Sequence, residues 1–320
     1  MRAELLHAPA QGAPDPEISV YVPALNEEGT IAELAERIAT GCSAVDATFE
    51  IVFVDDGSTD STLQRMRDVA AQWPDQVQIL HHRTPLGLTE TMIDAFRCVR
   101  GDVIIWIPAD LESDPGEDIP RLIGKMRGDD LDVVCGWRQG RADGKSLFSW
   151  IYNAVSRRLF SVSAHDMNWI KAFRRECLRD LELRSDWHRF LVMIWAERGF
   201  KIGEVPTTWH PRRSGRSKFG LWRIPVSFFD VLALRFLLTF SRKPLLFFGG
   251  AGLTFGALGS VIIGYLTILY FTTNTQRRPL FYFGLTLIVV AFLLLCVGFL
   301  AELIVKGERA EPPRRDKRDR

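Results

Sequence analysis

Carboxylates are concentrated at three places in the first part of the chain, each directly after a short apolar run. The three segments read VPALNEE from Val22 to Glu28, VDDGSTD from Val54 to Asp60, and PADLESDP from Pro108 to Pro115. Carboxylate oxygens are the ligands that a hard divalent cation such as Mg²⁺ prefers. At the ends of strands, such carboxylates are not required by a structural role, so the three segments predict a functional site.

The second acidic segment also has a structural interpretation. Ser58, Thr59 and Asp60 are residues that commonly cap the N-terminus of a helix, and the sequence predicts that they do so. Capping does not account for the consecutive Asp55 and Asp56, which we therefore interpret as functional. The sequence contains neither GxGxxG nor GxxxxGK[ST], which disfavours a dinucleotide-binding or P-loop protein.

Basic residues form a second group of candidates. RRSGRSK, from Arg212 to Lys218, could bind a phosphate in a site or anionic lipid beside a membrane; its RxxGxSK pattern favours the phosphate. His81 and His82 are adjacent, but no third His or Cys is suitably spaced, so a metal site there is disfavoured. His188 could contact a ligand or brace the site.

The candidates are positioned by alternating strand and helix patterns. Predicted helices include Thr30 to Ala39, with Gly41 as its C-cap, and Asp60 to Gln72. Short β-branched runs lie between the helical patterns, at Ile18–Val22, Glu50–Val54, Val77–Leu80, Val103–Ile107 and Asp132–Cys135. This alternation predicts an α/β domain with a mainly parallel sheet, whose ligands bind at the carboxyl ends of the strands.

Composition excludes several other classes. A chain of 320 residues with a formal net charge of +1 is not typical of a nucleic-acid-binding protein. Five cysteines without CxxC spacing argue against a disulfide framework or a zinc site, and they fit a reducing compartment.

Two long apolar stretches lie near the C-terminus, from about residue 245 to 271 and from about 280 to 303. Each meets the roughly 20 residues that a helix needs to cross a bilayer, so they predict a transmembrane hairpin over 244–306. Lys and Arg flank the pair, which places the N-terminal domain in the cytoplasm and the protein in the inner membrane as a multi-pass protein. Gly252, Gly256, Ser260 and Gly264 recur every four residues and favour close helix packing, within the hairpin or between subunits.

The remaining segments complete the predicted organisation. Residues 1–16 are expected to be a disordered leader, and 17–220 the α/β domain. Residues 221–243 mix aromatic and charged side chains and predict an amphipathic helix at the membrane interface, with an ordinary surface helix as the alternative. Residues 307–320 are expected to form a basic cytoplasmic tail.

Taken in order, the acidic segments resemble those of family 2 glycosyltransferases with the GT-A fold. GWRQGRAD from Gly136, HDMNWIKAFRR from His165, HRFL from His188 and EVPTTWHPRRSGRSKFG from Glu204 extend the resemblance. These segments resemble the branch that makes polyprenyl-phosphate sugars, which includes dolichol-phosphate mannose synthases and bactoprenol glucosyltransferases. The resemblance runs from about Ile18 to the C-terminal tail.

The resemblance implies an inverting transfer of a hexose-type sugar from a UDP- or GDP-sugar to a polyprenyl phosphate in a lipid bilayer. It also implies Mg²⁺ or Mn²⁺ as cofactor, held by Asp110 and Glu112, and a homo-oligomer such as a tetramer. The implied catalytic residues are Asp110, Arg138, Asp166, Arg212 and Lys218. The implied nucleotide-sugar contacts are Pro23, Leu25, Glu27, Val54, Asp56, Pro108, Ala109, Asp110, Arg138, Arg212 and Lys218.

The implied chemistry depends mainly on charge. Departure of a nucleoside diphosphate builds negative charge that a divalent cation and guanidinium groups stabilise. The acceptor, a phosphate monoester with a second pKa of about 6, is already largely dianionic at neutral pH. A general base is therefore not required, and Asp166 is expected to position groups before it acts as a base.

Several residues depart from the family's pattern. Pro108 stands where the first aspartate of the DxD motif is expected, and Glu112 stands in place of a glutamine. We expect Glu112 to compensate, with Asp114 a weaker candidate for a third metal ligand. Trp150 and Lys171 replace frequent arginines, and Pro85 replaces an asparagine. A membrane scaffold without turnover, and less so a component of a polysaccharide synthase, are the alternatives.

Overall fold

A computed structural model of the chain describes residues 3–10, 12–139, 164–181, 183, 187–211, 244–275 and 277–310, with side chains to residue 304. The chain divides into two compact units, Met1–Val231 and Leu232–Arg320. The helix predicted at 221–243 and residues 311–320 of the predicted tail lie outside the described residues. Trp150, Arg212 and Lys218 also lie outside them.

An eight-stranded mixed sheet forms the first unit, in the order β1-β4-β3-β2-β5-β7-β6-β8. The neighbouring strands β4, β3, β2 and β5 are parallel, and β6 is parallel to β8. β7 is antiparallel to both β5 and β6. The strands are Glu4–His7, Ile18–Ala24, Phe49–Asp55, Val77–His81, Val103–Trp106, Val133–Gln139, Lys171–Arg174 and Ile202–Thr208.

The parallel strands form as predicted because they are near-continuous apolar runs, which is typical of strands covered on both faces. Val20 on β2, Ile51 on β3 and Ile79 on β4 are fully buried. The first unit contains five α-helices within the described residues, namely α1 Ile31–Ser43, α2 Thr62–Gln72, α3 Leu88–Phe96, α4 Pro115–Gly128 and α5 Leu191–Glu197.

The predicted C-cap of α1 at Gly41 is wrong, because the helix continues to Ser43. A side chain at Gly41 would bring its Cβ to 2.4 Å from the carbonyl oxygen of Pro115 on α4. Gly41 therefore lets α1 and α4 approach closely over the same face of the sheet.

The disorder predicted for residues 1–16 is wrong where Glu4–His7 forms the edge strand β1. This strand pairs antiparallel with β4, with Glu4 opposite His81 and Leu5 opposite Leu80. The Pro- and Ala-rich composition of the segment did not indicate a strand, because a four-residue edge strand depends on the backbone groups that β4 offers.

The second unit contains two long apolar helices, α6 Pro244–Thr273 and α7 Arg278–Ala310. Both are long and apolar enough to cross a membrane. Helix α7 runs to Ala310, so it includes the first residues of the predicted tail.

Glycines bring α6 and α7 together. A Cβ at Gly252 would lie 2.9 Å from the carbonyl oxygen of Ala291, and one at Gly259 would lie 2.8 Å from that of Gly284. Ser260 and Gly264, by contrast, are exposed. The small-residue contact within the hairpin therefore includes only part of the predicted four-residue repeat.

Candidate functional site

The predicted acidic segments meet at one edge of the sheet. β2 and β3 run parallel in a register that pairs Ala24 with Asp55, and β5 lies on the other side of β2. The carboxyl ends of these three strands lie side by side. The segments VPALNEE, VDDGSTD and PADLESDP at those ends are therefore neighbours, as the strand order requires.

The first two segments are joined by hydrogen bonds between their loops. The amide of Asn26 donates to Ser58 Oγ over 2.9 Å, and the amide of Thr59 donates to Asn26 Oδ1 over 2.8 Å. The amide of Glu27 donates to Thr62 Oγ1 over 2.7 Å. Asn26 has a φ of 59°, a left-handed conformation that Asn tolerates better than most residues.

Ser58 and Thr59 therefore connect two loops, and the prediction that they cap a helix is wrong. The N-cap residue of α2 is Ser61. Only Asp60 has a comparable role, since its Oδ1 accepts the amide of Thr62 over 2.9 Å. The hydrogen bonds of Asp60 to Thr62 and Glu28 keep its pKa below the usual range despite some desolvation.

Asp56 is buried and accepts three hydrogen bonds from the protein. Its Oδ1 accepts the amide of Leu86 and a ring nitrogen of His82, each over 2.8 Å, and its Oδ2 accepts the amide of Gly87 over 2.9 Å. Its own amide donates to Ala24 on β2. Asp56 thus attaches the loop after β4 to the ends of β2 and β3.

The adjacent histidines hydrogen-bond to the two aspartates. His81 Nδ1 lies 2.7 Å from Asp55 Oδ2, and His82 Nδ1 lies 2.8 Å from Asp56 Oδ1. His82 is fully buried, and its Nε2 lies 3.3 Å from Asp94 on α3. The histidine that the sequence left uncertain, His188, lies 2.9 Å through Nδ1 from Thr89 Oγ1 on α3.

The third acidic segment makes a tight turn after β5. Leu111 adopts a φ of 55°, and the amide of Glu112 donates to Asp110 Oδ1 over 3.2 Å. The carbonyl of Glu112 accepts the amide of His210, which follows β8, over 2.9 Å. A left-handed leucine costs roughly 1 to 2 kcal/mol, so packing and these hydrogen bonds must hold the turn.

Asp110 and Glu112 are the two carboxylates of this turn that could hold a cation together with a ligand. No group of three or more His, Cys, Asp or Glu side chains that could hold a metal occurs among the described residues. Mg²⁺ usually keeps several waters and takes only one or two carboxylates together with substrate phosphates. The two carboxylates are therefore sufficient for a cation that also binds a pyrophosphate.

Asp114 is not available as a third ligand, contrary to the weaker expectation. Its side chain caps α4 by accepting the amide of Gly116 over 3.0 Å, and it forms an ion pair with Arg37. The neighbouring Ser113 donates to the buried Asp118 over 2.8 Å. Burial raises the pKa of Asp118 to about 6.

Arg138, near the end of β6, is held by a carboxylate and an aromatic ring. Its Nε and one Nη donate to the two oxygens of Asp166 over 2.5 and 3.2 Å. Its guanidinium lies 4.6 Å from the ring centre of Trp169, and Trp169 in turn donates to Thr207 on β8. A bidentate pair of this kind fixes the plane of the guanidinium group.

Lys171 is fully buried and, among the described residues, has no carboxylate within ion-pair distance. Its Nζ donates to the carbonyl of Trp169 over 2.7 Å and lies 3.8 Å from the ring centre of Trp106. Desolvation lowers the pKa of Lys171 to about 7, with a smaller opposing influence from Cys135 and Asp166. The interpretation of this position as a phosphate contact is not supported by these partners.

The structure brings most of the predicted site residues to one edge. Asp56, Asp110, Glu112, Arg138 and Asp166 lie on strand ends or on the loops beside them. Pro23 and Glu27 are half-buried, Leu25 is exposed, and Val54 and Ala109 are buried, so their side chains are part of the core. Pro108 is half-buried before Asp110, whereas Arg212 and Lys218 lie outside the described residues.

Sequence reasoning missed His82 as a partner of Asp56, and Asp94 as the second partner of His82. The only sequence signal was a pair of histidines at the end of a predicted strand. It could not show that β4 lies beside β3, in the register that sets His81 opposite Asp55.

Comparisons with known proteins identify a family and several relatives that match this chain. The family described as Glycosyl transferase family 2 matches residues 19–192. The chain is 32% identical over 311 residues to a dodecaprenyl-phosphate galacturonate synthase of Rhizobium johnstonii, covering 93% of this chain and 91% of that protein.

Two further relatives are undecaprenyl-phosphate 4-deoxy-4-formamido-L-arabinose transferases. The protein of Salmonella choleraesuis is 33% identical over 69% of this chain and 68% of its own. The protein of Edwardsiella ictaluri is 28% identical over 77% of this chain and 75% of its own.

Among solved structures, the chain is similar to glucosyl-3-phosphoglycerate synthase from Mycobacterium tuberculosis in complex with Mn²⁺, uridine diphosphate and phosphoglyceric acid. The TM-score is 0.55 at 23% identity, covering 69% of this chain and 78% of that chain. At this identity the similarity concerns the fold, and it agrees with the predicted GT-A architecture.

Proposed function

The chain belongs to glycosyltransferase family 2, and from this premise we propose that it transfers a hexose-type sugar from a nucleoside diphosphate to a polyprenyl phosphate. The reaction forms a bond between the anomeric carbon and an oxygen of the lipid phosphate. The bond from that carbon to the nucleoside diphosphate breaks, and the diphosphate leaves with the electron pair. Direct displacement inverts the configuration at the anomeric carbon.

The observation that carries the proposal is the combination of two features in one chain. The first unit presents Asp110, Glu112 and Arg138 at a single sheet edge, and the second unit has two helices long and apolar enough to cross a membrane. The Rhizobium relative, which matches across both units, is described as a dodecaprenyl-phosphate sugar synthase. A lipid-linked acceptor explains why a soluble type of catalytic fold is joined to such helices.

The donor is expected at the ends of β2, β3 and β5. Glu27, Asp56 and the backbone around Leu86 would surround the nucleoside, while Asp110 and Glu112 would hold Mg²⁺ or Mn²⁺. When bound, the cation neutralises charge that develops on the departing diphosphate. Pro108 replaces the first aspartate of the DxD motif, which leaves two carboxylates. Two suffice to hold the cation because the donor's phosphates provide further ligands.

The acceptor phosphate is expected near Arg138. Two N–H groups of its guanidinium donate to Asp166, and the remaining N–H groups have no partner within the part of the chain that the structure describes. Asp166 therefore orients the arginine, which supports a positioning role over that of a general base. Arg212 and Lys218 are proposed to add positive charge to the same phosphates.

We also propose the membrane arrangement predicted from the sequence. α6 and α7 would span the inner membrane as a hairpin, with the catalytic unit in the cytoplasm. Assembly into a homo-oligomer such as a tetramer stays a prediction, to be measured on the purified protein by its mass in detergent.

The decisive experiment incubates the purified full-length protein with polyprenyl phosphate and a panel of UDP-, GDP- and dTDP-sugars. The panel includes a UDP-hexuronic acid because of the Rhizobium relative, and each reaction is run with Mg²⁺, with Mn²⁺ and with a chelator. A labelled lipid product with one donor, lost with the chelator, supports the proposal and identifies the sugar. Tight lipid binding without a product from any donor would instead support the membrane scaffold.

A further inference from the structure

A chain of buried polar groups leads from Asp56 away from the reacting centre. It comprises Asp56, His82, Asp94 and the backbone of Ala3, and it contains neither a proposed metal ligand nor a proposed phosphate contact. Asp56, His82 and Asp94 are 7%, 0% and 2% exposed. Burial of three ionisable side chains is energetically costly unless each is hydrogen-bonded, so the arrangement requires a reason.

The first link is the carboxylate of Asp56. A carboxylate offers about four lone-pair positions to donors, and the protein already uses three of them, through Leu86, Gly87 and His82. Asp56 can therefore accept one further hydrogen bond from a nucleoside. Its larger contribution is to hold the backbone of the segment 84–87, here called the β4 loop. This loop lies beside the ends of β2, β3 and β5 where the donor is expected, here called the nucleotide edge.

Gly57 indicates how closely the β4 loop packs there. It has a φ of 76°, and a Cβ at this position would lie 2.8 Å from the backbone carbon of Thr84 and 2.9 Å from the nitrogen of Pro85. Two backbones in direct contact leave little tolerance for movement of Asp56, so any residue that fixes its carboxylate also fixes the loop.

The second link is the imidazole of His82, which bridges two carboxylates. Nδ1 lies 2.8 Å from Asp56 and Nε2 lies 3.3 Å from Asp94. Each of the two ring nitrogens therefore faces a carboxylate oxygen, so a single buried ring joins Asp56 to Asp94.

The third link connects Asp94 to the amino-terminal segment. Asp94 Oδ2 accepts the amide of Ala3 over 2.8 Å, one residue before β1 pairs with β4. The family match begins at residue 19, so β1 lies outside the region that this chain shares with the family description. The segment that carries β1 is thus connected to the β4 loop through three side chains, those of Asp94, His82 and Asp56.

We propose that His82 is a positioning residue for donor binding, and that the amino-terminal segment supports it through Asp94. His82 holds Asp56 in the orientation that closes the β4 loop, and Ala3 and Asp94 hold His82. This inference rests on the proposed function in one respect, namely that the edge around Asp56 binds the nucleoside part of the donor.

The test compares His82→Gln, Asp94→Asn and Ala3→Pro in the full-length protein. His7→Gln is the matched control, because it makes the same change as His82→Gln on β1, where the ring lies 3.0 Å from the carbonyl of Pro74. We expect His82→Gln to raise the donor KM about tenfold, equivalent to about 1.4 kcal/mol, with kcat changed less than threefold. The donor KM should rise roughly three-fold in Asp94→Asn and roughly two-fold in Ala3→Pro. It should not change in His7→Gln.

Amide hydrogen exchange gives a readout that does not depend on substrate. Exchange at Leu86 and Gly87 should become faster in His82→Gln and Asp94→Asn, without a matching change in the core strands β2 and β3. An unchanged donor KM and unchanged exchange at these amides would overturn the inference. If His82→Gln does not fold, Asp94→Asn and Ala3→Pro decide the question by the same two measurements.

Asp56→Asn separates the two proposals. If it weakens binding of UDP and GDP in the presence of Mn²⁺ while the His82 and Asp94 variants bind normally, the positioning inference is wrong and the proposed nucleotide edge is right. If exchange at Leu86 and Gly87 responds to His82→Gln but the wild-type protein binds neither nucleotide, His82 holds the β4 loop but does not serve donor binding, and the proposed nucleotide edge is wrong.

Discussion

The two sides of the proposed site are built by different physical means. On the aspartate side, formed by the loops after β2, β3 and β4, side chains and backbone amides exchange many short hydrogen bonds. The arginine side is formed by Arg138, Asp166, Trp169 and Lys171. There the charged groups of Arg138 and Lys171 each contact an aromatic ring, and Arg138 also pairs with one carboxylate. The aspartate side is suited to hold a ligand of fixed shape, and the arginine side to stabilise charge.

This difference has a topological cause. The aspartate side lies where adjacent parallel strands end together, so consecutive loops can bond to one another. The arginine side lies where the antiparallel strand β7 enters the sheet between β5 and β6. Residues that precede β7, such as Asp166 and Trp169, thereby reach an edge otherwise formed by residues that follow strands.

The largest effect is expected on the arginine side, at Arg138. Arg138→Lys keeps the charge but loses the bidentate contact with Asp166, so we expect kcat to fall roughly 100-fold or more. The measurement is the turnover of polyprenyl phosphate at saturating donor. Arg174→Lys, at the far end of β7 beside Asp130, is the matched control, and a similar loss there would show that the effect is structural.

Glu112 lies on the loop after β5, between the aspartate side and the arginine side. Removing its carboxylate tests whether Glu112 is a ligand of the cation. Glu112→Gln should raise the metal concentration for half-maximal activity about tenfold, which corresponds to about 1.4 kcal/mol. Glu117→Gln, on the exposed start of α4, should not change the metal requirement. Full activity of Glu112→Gln at low metal would contradict the assignment of this ligand.

The lowered pKa of Lys171, on the arginine side, predicts that the free energy of unfolding depends on pH. The folded protein releases this proton near pH 7, whereas the unfolded chain keeps it to about pH 10.5. The unfolded state therefore binds more protons between these values, and this residue makes stability rise with pH over that window. The destabilisation that comes from burying the charged form of Lys171 is fully present below pH 7.

Between pH 7.0 and 8.5 the contribution of Lys171 amounts to about 1 to 2 kcal/mol. Lys171→Met should remove it, so that the melting midpoint of the wild type rises relative to that of the variant by a few degrees. Burial raises the pKa of Cys135 and Cys177 to about 12, which acts in the opposite sense only above about pH 9. A difference between the two proteins that stays constant from pH 7.0 to 8.5 would contradict the assignment.

The smallest effect is expected at Asn26 on the aspartate side. Asn26→Gly keeps the left-handed backbone and loses the bond to Thr59, whereas Asn26→Ala also adds backbone strain. We expect losses of about 1 kcal/mol for Gly and about 2 kcal/mol for Ala in the free energy of unfolding. Equal losses in the two variants would show that the hydrogen bond alone matters, and donor KM should rise in both.

Much of the fold was predictable because its signals are local. Five predicted strands are present, and none of their ends differs from the prediction by more than four residues, since runs of β-branched residues report burial on both faces. The two apolar stretches formed helices for a similar reason, because length and composition alone identify them. The strand β1 was not predictable, since four residues without apolar alternation become a strand only when a neighbour offers its edge.

The same difference between local and non-local signals applies to the site. The sequence by itself determined which chemistry is present, because carboxylates after strand ends and an RxxGxSK pattern are properties of neighbouring residues. It also determined that two helices could cross a membrane. Asp110, Glu112, Arg138 and Asp166 are therefore candidates on sequence grounds alone.

Only the tertiary structure decided how these residues are held. That Ser58 bonds to Asn26, that Asp114 forms an ion pair with Arg37, and that His82 joins Asp56 to Asp94 depend on strand order and register. Contacts between residues 12 to 91 positions apart are decided by which strands pair, and no local pattern in the chain records that choice.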